Sequence, residues 1–185
     1  MIITGERKMS MNLRVLSQHV EFTLYDSISS FSDAKEFTEK LGAMTSEDKV
    51  TLKVNSGGGR IDVGHMIVQA IQKTKAHVVC HVVHASYSMA SLIALSCDEL
   101  IFEPHTLLMF HNYSSGSGGK GGALVQGVLS SDEFIKGIFF DICTPFLTKA
   151  EMNNIINDKD LYIKWNDPTL QTRIARHFKG GKNGR

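Results

Sequence analysis

The sequence has few cysteines, almost no net charge and no long apolar run, and each absence excludes a class of protein. Its three cysteines, Cys80, Cys97 and Cys143, are too few for a disulfide framework, and their number is odd. The 20 Lys and Arg residues nearly balance the 19 Asp and Glu residues, which argues against a nucleic-acid-binding protein with a strongly basic face. The longest apolar runs are much too short to span a bilayer, so no membrane partner is expected.

The N-terminal segment does not have the apolar core of a signal peptide, because Glu6, Arg7, Lys8 and Arg14 interrupt it. Together with the small number of cysteines, this predicts a reducing, cytoplasmic compartment. Apolar residues make up 42% of the chain, which is enough for a packed core and too much for a disordered protein. We therefore expect one folded domain of ordinary size.

The spacing of apolar residues alternates between the period of strands and the period of helices. Val20, Phe22 and Leu24 alternate with polar neighbours, as in a strand with one buried face. The predicted strands are residues 20–25, 50–54, 77–83 and 99–111, the last broken near Pro104. The predicted helices are residues 33–41, opened by a capping-box spacing of Asp33 and Glu36, and about 61–75, 88–96 and 132–146. Repeated β-α-β units predict an α/β fold with a mostly parallel sheet.

A serine flanked by small residues lies where the valine-rich strand meets the next helix. Ser86 and Ala90 are two residues away from Ser88 on either side, which allows a sharp turn that presents one hydroxyl at the start of a helix. The N–H groups of that helix would then lie beside the hydroxyl oxygen. On this segment alone a helix-capping serine is the simpler interpretation, because a serine is not a nucleophile without a base.

Half of the 16 glycines fall in two clusters, at residues 57–59 and 116–122. The first cluster follows a strand directly, so its backbone N–H groups lie at the carboxyl edge of the sheet, where α/β proteins place their sites. It lacks the lysine of a phosphate loop and the G-x-G-x-x-G spacing, so nucleotide binding is not indicated. Two interpretations stay open, a plain tight turn and a backbone that donates to an oxyanion or pairs with an extended peptide.

Four short motifs, in the same order and at similar intervals, resemble the proteolytic subunit family of the Clp protease, ClpP. They are N-S-G-G-G at residues 55–59, A-S-Y-S-M-A at 85–90, L-M-F-H-N at 108–112 and N-D-K-D at 157–160. The family's counterparts are N-S-P-G-G, a segment ending in A-S-M-G, M-I-H-Q-P and D-R-D. The resemblance extends from about residue 20 to residue 163. It implies a ClpP/crotonase-like α/β fold of repeated β-α-β units with a protruding strand-helix handle.

The resemblance also implies a role for individual residues. Ser88 is similar to the family's nucleophile, His111 to its general base and Asp160 to the carboxylate that orients the base. The backbone N–H groups of Gly59 and Met89 correspond to the oxyanion hole. Substrate contacts are implied for Gly58, Arg60 and Ile61. No cofactor is expected for the hydrolytic step.

Other histidines and aspartates compete with His111 and Asp160 for these roles. His77 and His81 share one face of a strand but lie about 13 Å apart, which is unfavourable for one metal ion, so no metal site is expected. His111 follows an apolar strand and is expected at the edge of the sheet. Asp158 and Asp160 alternate, so they share a face in an extended chain. Asp160 is preferred on the resemblance alone, and Asp158 stays an alternative.

The second glycine cluster and the helix predicted after it resemble the family's handle, at about residues 112–150. A projecting helix cannot leave a broad apolar stripe in water, so self-association is expected, and the resemblance implies two stacked rings. The alternative is that this helix packs on its own sheet. The stripe consists of Phe134, Ile135, Ile138, Phe139, Ile142 and Phe146, with Cys143 expected on the same surface.

The sequence departs from the family pattern at several positions. Gly57 replaces the family's proline, which leaves the loop backbone free to donate. Lys53 stands where many relatives carry an aromatic residue that docks an ATPase unfoldase, so that partnership is in doubt. Pro145 is expected to bend or end the last strong helix. Residues 165–168, W-N-D-P, replace the family's G-L-I-D ending.

These observations predict a serine endopeptidase that cuts unfolded polypeptides or peptides inside a ring chamber. Residues 1–18 are interpreted as an N-terminal segment that could form an entrance loop, 19–167 as the peptidase domain and 168–185 as a basic, flexible tail. Three alternatives stay open: a phage capsid-maturation protease on the same fold, a catalytically idle structural ring subunit and a crotonase-type acyl-CoA enzyme. The presence of Ser88, His111 and Asp160 argues against the idle subunit, and a crotonase-type enzyme would not need Ser88 or Asp160.

Overall fold

The computed structural model describes residues 17–114, 116 and 120–179, apart from the side chains of residues 123 and 124. Nearly all of the predicted entrance segment, three residues of the second glycine cluster and the last six residues lie outside this description. The strands are β1 (His19–Leu24), β2 (Lys49–Ser56), β3 (His77–Tyr87), β4 (Glu99–Phe102), β5 (Leu107–Phe110) and β6 (Leu161–Lys164). The helices are α1 (Phe31–Gly42), α2 (Ile61–Lys73), α3 (Met89–Leu95), α4 (Gly121–Cys143), α5 (Lys149–Ile156) and α6 (Leu170–His177).

The six strands form one sheet in the order β1-β2-β3-β5-β6, and β4 also pairs with β3. All neighbours are parallel except β5 and β6, which run antiparallel. The predicted break near Pro104 is confirmed, since β4 pairs with residues 79–82 of β3 and β5 pairs with residues 85–87. The parallel pairs are connected through crossover helices, which confirms the predicted α/β fold.

The core lies around β3 and α3. Val78, Cys80 and Val82 of β3 are completely buried, as expected for a central strand of a parallel sheet. The small residues of α3 let this helix lie at the centre of the domain, and Ala90 and Ala94 are also completely buried. The carboxyl ends of β2, β3 and β5 therefore meet at one edge of the sheet, beside α3.

The first helix begins earlier than predicted. Ser30, not Asp33, is its N-cap, and the Ser30 side chain accepts a hydrogen bond from the backbone N–H of Asp33 at 3.2 Å. The predicted capping box of Asp33 and Glu36 is therefore wrong. Glu36 forms instead a surface ion pair with Lys40, at 2.7 Å.

The α4 helix also begins earlier, at Gly121 rather than near residue 132, so part of the second glycine cluster is helical. It ends at Cys143, two residues before Pro145, as the proline predicts. Phe139, Ile142 and Cys143 of its C-terminal half, and Phe146 just beyond it, are buried in the chain's own core, so placing these four residues on an association surface was wrong. The exposed apolar side chains lie nearer to its N-terminus, with Val125, Leu129 and Phe134 58%, 62% and 61% exposed.

Residues 168–179 do not form a flexible tail, which corrects the prediction over that range. Leu170 and His177 of α6 are buried, and His177 Nε2 lies 2.8 Å from the carbonyl oxygen of Leu95. Arg173 forms an ion pair with Glu151 of α5 at 2.6 Å. Leu170, Ile174 and His177 have helical spacing and form one inward face. This helical pattern was not recognised in the sequence, because the segment is rich in basic residues and ends in glycines.

None of the helices in the described part of the chain has the length and apolar composition needed to cross a membrane.

Candidate active site

Ser88 lies in a sharp turn between β3 and α3. Its backbone dihedrals are φ 55° and ψ −124°, a conformation that residues with a side chain rarely adopt and that is often found at functional sites. The Ser88 N–H donates to the carbonyl oxygen of Met109 at 2.8 Å, which fixes the turn to the end of β5. The Ser88 side chain makes no capping hydrogen bond. Ser88 therefore occupies the N-cap position without capping the helix through its hydroxyl.

Small residues allow this turn. Ser86 and Ala90, which the sequence singled out, are both completely buried against the turn. The hydroxyl of Ser91 lies 2.5 Å from the carbonyl oxygen of Ser86 and 2.9 Å from that of Met109. These contacts connect β3, α3 and β5 around Ser88, so three elements hold the turn in place.

The first glycine cluster packs directly on the Ser88 turn. A Cβ atom on Gly58, whose φ is 91°, would lie 2.7 Å from the carbonyl oxygen of Tyr87 and 2.8 Å from the Cβ of Ser88. Only glycine fits at that distance. A Cβ on Gly57 would meet open space, so packing does not explain why glycine stands at residue 57.

The Gly59 N–H faces away from the segment that holds the loop. Ile28 donates to the carbonyl oxygen of Gly58 at 2.9 Å and accepts from the N–H of Arg60 at 2.7 Å, which forms a parallel bridge opposite Gly59. Because successive residues of an extended chain direct their polar groups to opposite sides, the N–H of Gly59 points away from Ile28. Within the described residues, neither this N–H nor that of Met89 donates a hydrogen bond. Both N–H groups are therefore available to an oxygen atom bound at the turn.

The residues predicted to contact substrate differ in their surroundings. Gly58 uses its carbonyl oxygen for Ile28 and its N–H for the hydroxyl of Ser56. The guanidinium of Arg60 is bound to Asp62 at 2.7 Å and lies 4.7 Å from the centre of the Phe31 ring. This ion pair lowers the pKa of Asp62. A cavity beside Ser88 and an adjoining groove of about 370 Å³ are both lined by Ile61, whereas Arg60 lines only the groove.

His111 follows β5, the strand beside the one that carries Ser88. The pairing of Tyr87 with Met109 places Ser88 next to Phe110, and His111 is one residue further. Ser88 and His111 line the same cavity, which has a volume of about 60 Å³ and mostly apolar walls. Among the hydrogen bonds of the described residues, none joins the Ser88 hydroxyl to the His111 ring. The fold thus brings both side chains to one cavity without a direct bond between them.

The two candidate aspartates follow α5 and have different partners. Asp158, at φ 61°, accepts a hydrogen bond from Nδ2 of Asn112 at 2.9 Å. Asp160 is exposed, and its carboxylate makes no hydrogen bond within the described part of the chain. The antiparallel register of β5 and β6 pairs Phe110 with Leu161. Continued by one residue, that register places Asp160 opposite His111.

Two histidines of β3, His77 and His81, are paired with carboxylates. His77 Nε2 lies 3.4 Å from Glu99, and His81 Nε2 lies 2.6 Å from Glu103. In residues 17–114, 116 and 120–179, no group of three or more His, Cys, Asp and Glu side chains is placed to hold a metal ion. Lys53, on β2, forms an ion pair with Glu21 of β1 at 2.9 Å.

The sequence did not indicate a group of three polar residues at the cavity wall. Tyr113 donates its hydroxyl hydrogen to Asp132 Oδ1 at 2.9 Å, and Lys136 Nζ donates to Asp132 Oδ2 at 2.7 Å. The bonds from Lys136 and Tyr113 lower the pKa of Asp132, and Asp132 raises the pKa of both donors. Tyr113 and Lys136 line the cavity with Ser88. The spacing of Asp132 and Lys136 is typical of a helical ion pair, but no sequence signal joins them to Tyr113.

The sequence of the chain matches one known protein family. A family model described as Clp protease matches residues 4–128, about two thirds of the chain. The matched range contains the first glycine cluster, Ser88 and His111. It ends within α4, so Asp158 and Asp160 lie outside it. A search of curated proteins found no match.

Proposed function

Because the chain belongs to the Clp protease family, we propose that it is a serine endopeptidase with Ser88 as its nucleophile. The observation that carries this proposal is the turn at Ser88. Its backbone has a positive φ, its hydroxyl does not cap α3, and it lines one cavity with His111. A serine at a strand-helix turn beside a histidine is the arrangement in which hydrolases activate a hydroxyl for attack on a carbonyl.

In the proposed reaction His111 removes the hydroxyl proton of Ser88 as the oxygen attacks the scissile carbonyl. His111 then gives this proton to the amine that leaves. The missing bond between the two side chains does not oppose this, because catalytic hydrogen bonds often tighten only when substrate is bound. Asp160 holds the imidazole in the required tautomer and stabilises its protonated form. The register of β5 and β6 supports this assignment, since it places Asp160 opposite His111.

The backbone N–H groups of Gly59 and Met89 form the proposed oxyanion hole. Neither donates within the described part of the chain, and Gly58 keeps the glycine loop in direct contact with the Ser88 turn. An oxyanion that accepts both hydrogen bonds is stabilised by roughly 3–4 kcal/mol per donor. Because these donors belong to the backbone, the proposed hole depends on the shape of the loop rather than on a side chain.

The proposed substrates are unfolded polypeptides or peptides, cut without a cofactor. The cavity beside Ser88 is small and mostly apolar, which favours an apolar substrate side chain next to the scissile bond. Backbone recognition at the glycine loop suits an extended chain, which a folded protein does not present. The near-zero net charge also fits peptide better than nucleic acid.

We further propose that the chain assembles into a homo-oligomer of two stacked rings. The exposed apolar residues of the N-terminal half of α4 form a surface that self-association would bury. A closed chamber would restrict an unselective site to chains that can enter it. An ATPase unfoldase partner is less well supported, because the ion pair of Lys53 with Glu21 puts charge at the strand position that docks an unfoldase in many relatives.

Labelling with a fluorophosphonate, followed by gel filtration, tests the proposal. We expect the wild type to be labelled and to elute as a ring assembly. The Ser88→Ala variant should lose all labelling and keep its assembly, since the hydroxyl makes no hydrogen bond within the described part of the chain. Absence of labelling of the wild type under all activating conditions would contradict the peptidase, and a monomer would contradict the ring.

A catalytically idle ring subunit is the second candidate. The observation that favours it is the missing hydrogen bond between Ser88 and His111. The same measurement separates the two functions, because an idle subunit would form the ring without reacting with the fluorophosphonate.

A further inference from the structure

The segment that follows His111 is held by side chains rather than by the sheet. The last residue of β5 is Phe110, which pairs with Leu161, so His111 is the first residue beyond the regular ladder. Within the described residues of 111–120, two side chains make hydrogen bonds to the rest of the domain. Asn112 Nδ2 reaches the carbonyl oxygen of Ile156 at 3.2 Å as well as Asp158, and Tyr113 reaches Asp132.

The bond of Tyr113 joins this segment to the middle of α4. Asp132 lies about two helical turns before Phe139, so the part of α4 that carries it continues directly into the residues Phe139 and Ile142 that are buried in the core. The hydroxyl of Tyr113 and the ammonium of Lys136 occupy the two oxygens of the Asp132 carboxylate. A hydrogen bond to an ionised acceptor is about twice as strong as one between neutral groups. Lys136 lowers the pKa of Asp132 and so maintains that charge.

We propose that Tyr113 is a positioning residue for the hydrolysis, because its hydrogen bond to Asp132 holds the His111 segment against α4 and directs the imidazole toward Ser88. This inference rests on the proposed function. Tyr113 is two residues from His111, so a shift of its ring moves the backbone of the base. Since Tyr113 and Lys136 also line the cavity beside Ser88, the same bond fixes one wall of the site.

The proposal assigns different roles to the hydroxyl and to the ring of Tyr113. The ring contributes to the cavity wall and hence to substrate binding, whereas the hydroxyl acts through Asp132. Loss of the hydroxyl alone should therefore lower kcat and leave KM nearly unchanged. A displacement of about 1 Å at a reacting group can reduce a rate by a factor of about 100, so a partial loosening should cost about tenfold.

The test compares Tyr113→Phe, Asp132→Ala and the double variant of the full chain. We measure the rate of Ser88 labelling by a fluorophosphonate, kcat and KM for a peptide, and the thermal unfolding midpoint. Tyr113→Phe and Asp132→Ala should each label about tenfold more slowly below the unfolding transition. If Tyr113 acts through Asp132, the double variant should be no slower than Asp132→Ala, since the two effects share one bond.

Tyr162→Phe is the matched control. Tyr162 is 50% exposed on β6, and its hydroxyl makes no hydrogen bond within the described part of the chain. The control should label at the wild-type rate. A wild-type rate for Tyr113→Phe, additive losses in the double variant or a change confined to KM would each overturn the proposal. A wild type that is never labelled would instead overturn the proposed function, so the two failures are distinguishable.

Discussion

At the scale of single residues, Asp158 and Asp160 illustrate how two similar side chains acquire different roles. Asp158 has a left-handed backbone and holds the amide of Asn112, so its carboxylate braces the residue after His111. Asp160 is two residues nearer to β6 and faces His111 in the continued register. Asp158 thus has a hydrogen-bond partner, and the Asp160 carboxylate has none within the described part of the chain, which the proposed role of Asp160 requires.

Replacing each aspartate by asparagine should separate these roles. Asp160→Asn should lower kcat by about 10⁴-fold, because an amide at this position favours the wrong tautomer of His111 and does not stabilise its protonated form. Asp158→Asn should lower kcat by less than about threefold, since asparagine tolerates a positive φ and still offers an acceptor oxygen to Asn112. Steady-state kinetics on one peptide measures both values. The reverse order of effects would show that Asp158 orients the base.

The sequence predicted the residues of the candidate site that belong to short motifs, and it did not predict the contacts between distant segments. Small neighbours on both sides indicated the turn at Ser88, and the end of an apolar strand indicated the position of His111. The bond from Tyr113 to Asp132 joins residues 19 positions apart and depends on how α4 packs. No local periodicity reports such a bond, because it arises only when the elements are assembled.

At the scale of elements, β1 to β5 were predicted, β6 and α5 were not, and the ends of the predicted helices were less accurate. The alternation of apolar and polar residues was sufficient to predict β1 and β2, because alternate side chains of these strands are buried. The start of α4 was missed, since glycines that suggested a loop form its first turn. The α6 helix was missed because the basic residues of this segment suggested a flexible tail. Its buried residues and its ion pair with α5 nevertheless hold it on the domain.

The Glu151–Arg173 pair should make the docking of α6 on α5 sensitive to acid. Hydrogen bonds from Arg173 and Thr148 lower the pKa of Glu151 from its usual 4.5 to about 2. A lowered pKa stabilises the folded state above the unfolded-state value, and this contribution is lost as the pH falls from about 4.5 to about 2. Glu151→Gln keeps a capping-box side chain and removes the charge, so it should reduce the free energy of unfolding at pH 7 by about 1–2 kcal/mol.

Urea denaturation of both proteins between pH 7 and pH 2 measures this difference. The difference in the free energy of unfolding between wild type and Glu151→Gln should be constant near neutral pH and should disappear as the pH falls below about 4.5. Glu39→Gln is the control, because the exposed pair of Glu39 with Lys35 at 3.7 Å should contribute less than about 0.5 kcal/mol. Equal stabilities of wild type and Glu151→Gln at pH 7 would contradict the proposed anchor.

At the scale of the whole molecule, the distribution of exposed apolar residues divides α4 into two halves with different tasks. Its C-terminal half completes the core of the single chain through Phe139, Ile142 and Cys143. Among the residues of its N-terminal half whose side chains the structure describes, none belongs to that core, and Val125, Val128 and Leu129 are exposed. The folding of one chain thus depends on the second half, which leaves the first half available to another copy.

A charge placed on the N-terminal half of α4 should therefore break the assembly and spare the fold. Leu129 is 62% exposed, so Leu129→Glu removes no core contact, but it would bury a carboxylate wherever two copies meet on this surface. We expect the variant to elute as a smaller species on gel filtration while its circular dichroism spectrum is retained. Ser130→Glu adds a charge at an exposed position on the side of α4 away from Val125 and Val128, and it should keep the wild-type size. If the Leu129→Glu variant elutes at the wild-type size, this half of α4 does not form the contact between copies. If the variant unfolds, Leu129 has a role within the single chain that its exposure does not indicate.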